Sequence, residues 1–228
     1  MPIKEIICLA YSRKMGGSCF AGIDTDSRQW IRAIGTHQNG ALADNDCFMQ
    51  DGTGKFVLPT VLDVIEIGFS APAPTLAQPE NWKISGSEWK KLRRAGILDA
   101  DLLNRSLADD PELFRGYERY ITKEDIDLRP PKSSLALVRP ENLRWNPKRD
   151  VYRRNVYRGT FTVSGATYDL PLTDDRYAAT LVAKSLTGGP IDASAVTLLT
   201  ISLGDLYEKT GRYYKLIAGV VESGVISI

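Results

Sequence analysis

The stretch from Val151 to Leu172 constrains the fold more than any other part of the chain. Two runs rich in strand formers, VYRRNVYRGTFTV and ATYDLPL, flank the two-residue turn signal Ser164-Gly165. A two-residue loop pairs Val163 with Ala166, Phe161 with Tyr168, Gly159 with Leu170 and Tyr157 with Leu172. These pairs share one mostly apolar face. Thr162 with Thr167, Thr160 with Asp169, and Arg158 with Pro171 fall on the other, polar face. One dry face and one wet face is the pattern of a half-buried antiparallel sheet.

The flanking segments extend this hairpin. Ser134 to Leu143 opens with an apolar strand-forming run, and Arg139-Pro140 and Asn146-Pro147 after it break regular structure. Thr173-Asp174-Asp175 is a helix start, with acids suited to the first turn. Tyr177, Leu181 and Lys184, with Ala178 and Val182, keep helical spacing until Gly188-Gly189-Pro190 stops it. Strands are expected again over Val196 to Leu203 and Tyr213 to Val221. Strand, strand, strand, helix, strand, strand is the order of a five-stranded oligonucleotide-binding (OB) barrel. A generic α+β domain shares that order.

The first half repeats the order more loosely. Strands are expected over Ile3 to Ala10, Cys19 to Ile23 and Gln29 to Ile34, the last two around a turn at Asp24 to Arg28. A short helix over Ala41 to Met49 and a fourth strand over Leu62 to Phe69 follow, and no fifth strand stands out. The expected fold is mainly β, two tandem OB-like five-stranded barrels with a short helical connecting region. The first barrel takes 1–70, its fifth strand drawn from the connector if at all. The connector takes 71–132 and the second barrel 133–228. A chain of 228 residues suits two domains of about 100 each. In the connector, Trp89, Leu92, Ile97 and Leu102-Leu103 suggest two short helices broken near Gly96, and Arg129-Pro130-Pro131-Lys132 reads as a hinge.

Several segments resemble the dual OB domain family. They are Cys8-Leu9-Ala10-Tyr11-Ser12-Arg13-Lys14 with Gly17, Cys19 and Ala21-Gly22, then Trp30-Ile31-Arg32, Gln78-Pro79-Glu80-Asn81-Trp82, Ser202-Leu203-Gly204 and Tyr213-Tyr214-Lys215-Leu216-Ile217-Ala218. The resemblance implies two tandem OB folds, no known catalytic set, a role in binding nucleic acid, and a place in prokaryotic conflict or defence systems. It carries over no functional residues. The fit is weakest between Asp44 and Thr60.

A formal net charge of +1 supplies no bulk pull toward nucleic acid, so binding must come from a local patch. The segment RWNPKRDVYRRNVYR supplies one, with Arg144, Lys148, Arg149, Arg153, Arg154 and Arg158 interleaved with Trp145, Tyr152 and Tyr157. Cations track phosphates and flat rings stack unpaired bases. Hairpin parity sends Tyr152, Arg154 and Arg158 outward and Tyr157 into the core. Asp169 shares the outward face and would neutralise a neighbouring arginine. The bland reading is a solvated basic edge strand. Lys209 and Arg212 lie in the expected loop between strands four and five. In the first half, Arg13 and Lys14 sit in a glycine-bearing loop that lacks nucleotide P-loop spacing, and Trp30 and Arg32 share one strand face. The proposed nucleic-acid contacts are therefore Arg13, Lys14, Arg32, Arg144, Trp145, Lys148, Arg149, Tyr152, Arg154, Arg158, Lys209 and Arg212. Lys90-Lys91 and Arg93-Arg94 form a further basic cluster on an expected helix, usually a solvated face.

No catalytic set, metal or cofactor is expected. Cys19 and His37 would need mutual contact and an orienting group to act as a nucleophilic pair, and cysteines in apolar strands are commonly core residues. The acidic pairs Asp24/Asp26, Asp109/Asp110 and Asp174/Asp175 sit in turns or helix starts. Cys8, Cys19 and Cys47 fit no disulfide framework, and no leader or spanning segment stands out, so a reducing, cytoplasmic setting is expected. The leading reading is a module for single-stranded or exposed DNA or RNA. The alternatives are a sensor of a nucleotide or modified base, and a protein–protein adaptor serving an effector encoded elsewhere.

Overall fold

The computed structural model describes residues 1–14, 16–37, 39–51, 53–108, 112–116, 118–149, 155–184, 191–193 and 196–222. Of Lys14, Arg149, Asn155 and Asp192 only the backbone is described. The chain divides into two units, Met1–Ser106 and Leu107–Ser223.

The first unit runs β1 (Ile3–Lys14), β2 (Gly17–Asp24), β3 (Trp30–Ile34), α1 (Asp44–Cys47), β4 (Met49–Gln50), β5 (Phe56–Val57), β6 (Asp63–Pro72), β7 (Asn81–Ile84), β8 (Trp89–Arg94) and α2 (Ala100–Arg105). β1 pairs antiparallel with both β2 and β6, β2 pairs with β3, and β6 pairs with β7. The ring closes because β7 lies parallel to β3. This is a closed five-stranded barrel with the α1 helix between its third and fourth strands, the OB arrangement. The fifth strand is β7, which opens with Asn81 and Trp82 of the QPENW segment. Phe20, Ile31, Ile65, Phe69 and Trp89 fill the interior, with Phe20 edge-on to Trp89 at 4.9 Å.

The seam between β3 and β7 is held by a buried ion pair. The Arg32 amide donates to the Glu80 carbonyl at 3.0 Å, and Arg32 Nε lies 3.2 Å from Glu80 Oε1 with each side chain 4% exposed. Arg32 Nη1 reaches Cys19 Sγ on β2 at 3.2 Å. Gly17 serves the framework as well. A Cβ there would stand 2.2 Å from the Leu42 carbonyl oxygen, to which the Ser18 amide donates.

The segment from Trp89 to Arg94 is a strand, where helical spacing suggested otherwise. Trp89 enters the core, and the four cations that follow it meet carboxylates on and around β6. Lys91 and Arg94 reach Asp63 at 2.8 and 3.0 Å, and Lys90 reaches Glu66 at 2.8 Å. Arg93 reaches Asp99 at 2.7 Å. Burial alone would raise the Asp63 carboxyl, but its bonds to Lys91, Thr60 and Arg94 hold it below the usual range. The helical part of the connector consists of a 3-10 turn at Ile97–Asp99, α2, and a further short helix at Lys123–Leu128.

The second unit runs β9 (Tyr120–Thr122), α3 (Lys123–Leu128), β10 (Leu135–Val138), β11 (Glu141–Arg149), β12 (Asn155–Val163), β13 (Ala166–Pro171), α4 (Asp175–Lys184), β14 (Ile191–Asp192), β15 (Val196–Tyr207) and β16 (Arg212–Glu222). It is a curled half-barrel of two sheets, β10-β15-β16-β9 and β13-β12-β11-β14. β10 and β11 are successive parts of one bent strand, the first pairing β15 and the second β12. A parallel bridge from Leu172 to Ile217 joins the third strand to the fifth. The Thr173 amide donates to the Ile217 carbonyl at 2.9 Å beside it.

The β12–β13 hairpin has the register read from its alternation, from Val163 opposite Ala166 to Arg158 opposite Pro171. Its turn places Ser164 at φ 48° and Gly165 at φ 86°, the two left-handed positions that match strand twist. Tyr157, Phe161, Tyr168 and Leu170 are buried. Asn146-Pro147 does not break the structure, because β11 continues through it. Among the described residues, the part of β11 beyond Trp145 pairs with β12 alone, a setting in which a proline costs the ladder little.

Lys215 is fully buried on the inward face of β16. Its Nζ donates to the Gly116 carbonyl and lies 5.4 Å from the Tyr168 ring centre. The Tyr168 hydroxyl accepts from the Leu113 amide at 3.1 Å. Burial lowers the Lys215 ammonium to about 8, with Glu118 and Glu112 partly opposing the shift. Among the described residues no helix is long and apolar enough to cross a membrane.

Two predictions follow from these buried charges. Glu80→Gln leaves the Arg32 guanidinium buried without its counter-charge and should cost about 3–5 kcal/mol in urea unfolding. An apolar replacement of both partners should recover most of that loss. The folded chain favours neutral Lys215, whereas the unfolded chain holds its proton to about 10.4. Raising the pH from about 8 toward 10 therefore relieves a cost of folding. Melting temperature should rise across that window relative to Lys215→Met, which lacks the titrating group.

Candidate functional site

Strand parity decides which side chains of the second unit face outward. On β11, Leu143 and Trp145 point in, so Arg144, Asn146 and Lys148 point out. Opposite them on β12 stand Thr160, Arg158 and Val156. Arg144 and Lys148 are exposed. Asn146 Nδ2 donates to Thr160 Oγ1 at 2.9 Å. Arg158 is tied down, its Nε lying 2.9 and 3.0 Å from the two Asp169 carboxylate oxygens and its Nη2 donating to the Asp169 carbonyl. This leaves 17% of its side chain exposed. The face is polar and bears three cations, one of them neutralised.

Two expected contacts are core residues. Trp145 is fully buried against Tyr177, ring centres 5.4 Å apart, because it occupies an inward position of β11. Arg32 is sealed in the β3–β7 seam. Neither can reach a ligand in this fold. Arg13 is exposed at the end of β1, opposite Ser18. Lys14 and Arg149 are placed in strands by their backbone alone. Tyr152, Arg153 and Arg154 lie outside the described residues. The cations of β8 are engaged by carboxylates, which leaves little for a phosphate.

Lys209 is exposed in the turn between β15 and β16. Arg212, at the start of β16, lies 4.0 Å above the Tyr120 ring. Tyr120 and Tyr207 each stand edge-on to Tyr214, at 6.0 and 6.4 Å. Sequence reasoning missed these three rings. Tyr120 lies some 90 residues before its neighbours in the chain, and only the pairing of β9 with β16 brings it opposite Tyr214. Tyr213-Tyr214 was visible in the sequence, and strand parity alone sends Tyr214 outward.

The sequence model of one family, described as a dual OB-containing domain, matches residues 4–220. The chain belongs to the dual OB-containing domain family. Searches of curated proteins and of solved structures give no match.

In this dual OB protein the family-like segments build framework. Gln78 Oε1 accepts from Asn81 Nδ2 at 3.2 Å, Glu80 balances Arg32, and Trp82 packs edge-on to Phe69 at 5.8 Å. Cys19 completes the Arg32 shell. Burial pushes the Cys47 thiol up to about 12, the behaviour of an unreactive core residue. Trp145→Ala should therefore cost about 3–5 kcal/mol of stability, as for a large core side chain, measured by denaturant unfolding.

Proposed function

We propose that this protein binds unpaired or locally exposed nucleic acid through the outer surface of its second unit. The observation that carries this reading is the outward face of β11 and β12, where Arg144, Lys148 and Arg158 line up among Asn146, Thr160 and Thr162. Strands two and three and the loop between strands four and five are the surfaces on which OB folds take up oligonucleotides. The face adjoins the first two strands of that barrel order. Its two exposed cations suit phosphate oxygens, while its hydroxyl and amide groups suit sugars and base edges.

The small-ligand alternative draws less support. The first unit has a cavity of about 330 Å³ lined by Asn45, Asp46, Phe48, Phe56, Gly86, Ser87 and Glu88. Its two carboxylates oppose a phosphate, so it does not favour a nucleotide. A place in prokaryotic defence rests on family membership and adds no contact to this interface.

Titration of the full chain with fluorescent oligonucleotides at several salt concentrations tests the reading. Binding should weaken steeply with salt. Arg144→Ala and Lys148→Ala should each lower the slope of log K against log salt by about 0.7, as expected for one single-strand phosphate contact. Unchanged slopes in both variants, or no binding at low salt to DNA or RNA, would contradict it.

A further inference from the structure

The three tyrosines around Arg212 have no part in the hydrophobic core. Tyr207 is 48% exposed, and Tyr120 and Tyr214 are half-buried on the outer face of β9 and β16. Large flat side chains on an outer sheet face cost hydration and contribute little packing, so their grouping calls for a partner. The group also carries cations. Arg212 lies over Tyr120, Lys209 is exposed in the adjoining turn, and Arg119 immediately precedes Tyr120. Hydrogen bonds from Thr210 and then Arg212 lower the Tyr214 phenol below its ordinary value, with Arg119 adding to the effect. Asp205 and Glu208 lie in the same hairpin, so net charge here is small and the rings dominate.

We infer that Tyr207, Tyr214 and Tyr120, with Arg212 over the last ring, form a stacking site for an unpaired base of a DNA or RNA strand. The inference rests on the nucleic-acid reading above and adds a second contact of different character. One of its rings comes from β9, a strand outside the five of the OB order. Tyr207 presents the most exposed ring and takes the base. Tyr214 stands edge-on beside it and Tyr120 edge-on to Tyr214 in turn, and the Arg212 guanidinium, lying over Tyr120, completes a surface that accepts any base. Lys209 and Arg119 lie at its margin, placed for the flanking phosphates.

Stacking and phosphate contacts separate by salt dependence. The experiment compares the full chain with Tyr207→Ala, Tyr214→Ala and Tyr207→Phe, titrated with labelled oligothymidylate, oligouridylate and an abasic oligomer of equal length. Tyr207→Ala should weaken binding to the base-bearing strands about tenfold, the scale of one lost base stack, with the salt slope unchanged. Tyr214→Ala should weaken it in the same direction. Tyr207→Phe keeps the ring and should bind as the parent does. On the abasic strand all four proteins should bind alike. If the parent binds but both alanine variants match it on base-bearing strands, the stacking site is overturned and the phosphate face stands. An equal loss on the abasic strand also overturns it. If the parent binds none of the strands, the nucleic-acid reading falls and the stacking site with it. Melting curves of the variants, expected to overlay the parent, keep a folding defect from passing as lost stacking.

Discussion

Closure of a small barrel depends on one contact that no hairpin can supply, the parallel meeting of its third and fifth strands. The other neighbours in the 1-2-3-5-4 order are antiparallel. In the first unit the closing contact is β3 against β7, 48 residues apart at the Arg32–Glu80 pair. A buried ion pair adds little net stability over an apolar pair of similar volume, yet breaking one side of it is costly. Its effect here is selective, because Glu80 fits the seam only when β7 lies in one register beside Arg32. The second unit makes the corresponding contact with less, a single bridge from Leu172 to Ile217 and the Thr173 bonds beside it. It stays a curled half-barrel.

This difference bears on where a ligand can be read. The first unit spends its conspicuous polar residues internally. Arg32, Cys19 and Glu80 lock a seam, and the four cations of β8 face carboxylates. The second unit leaves polar chemistry on its surface, with exposed Arg144 and Lys148 on one sheet and an aromatic group around Arg212 on the other. In the proposed reading, phosphate contacts would position a strand and stacking would hold its bases, so the two features would divide the work of binding.

Local pattern carried the fold further than the site. The β12–β13 hairpin was legible because alternation and a two-residue turn fix register without long-range information. Parity on the same hairpin assigned Tyr157 to the core and Arg158 to the surface, and it foresaw Asp169 as the neutralising partner. Three readings failed where tertiary context decides. Trp89 to Arg94 mimics helical spacing, but the carboxylates of β6 and the core slot for Trp89 draw it into a strand. Trp145 sits in a basic, aromatic-rich segment that suggests stacking, yet its own parity turns it inward. Arg32 lies in an open-looking β3, and its partner Glu80 is too distant in sequence to be foreseen. The half read as the looser copy is the closed barrel, because its fifth strand lies in the segment taken as a connector. Tyr120 was invisible for the same reason.

The central claim is that the outer surface of the second unit is the nucleic-acid interface. Photo-crosslinking of the full chain to a halogenated oligonucleotide, followed by peptide mapping, tests it most directly. The account predicts adducts on peptides carrying Tyr207 and Tyr214 and on those spanning β11 and β12. Adducts confined to Met1–Ser106, with none on the second unit under conditions where the strand binds, would contradict it.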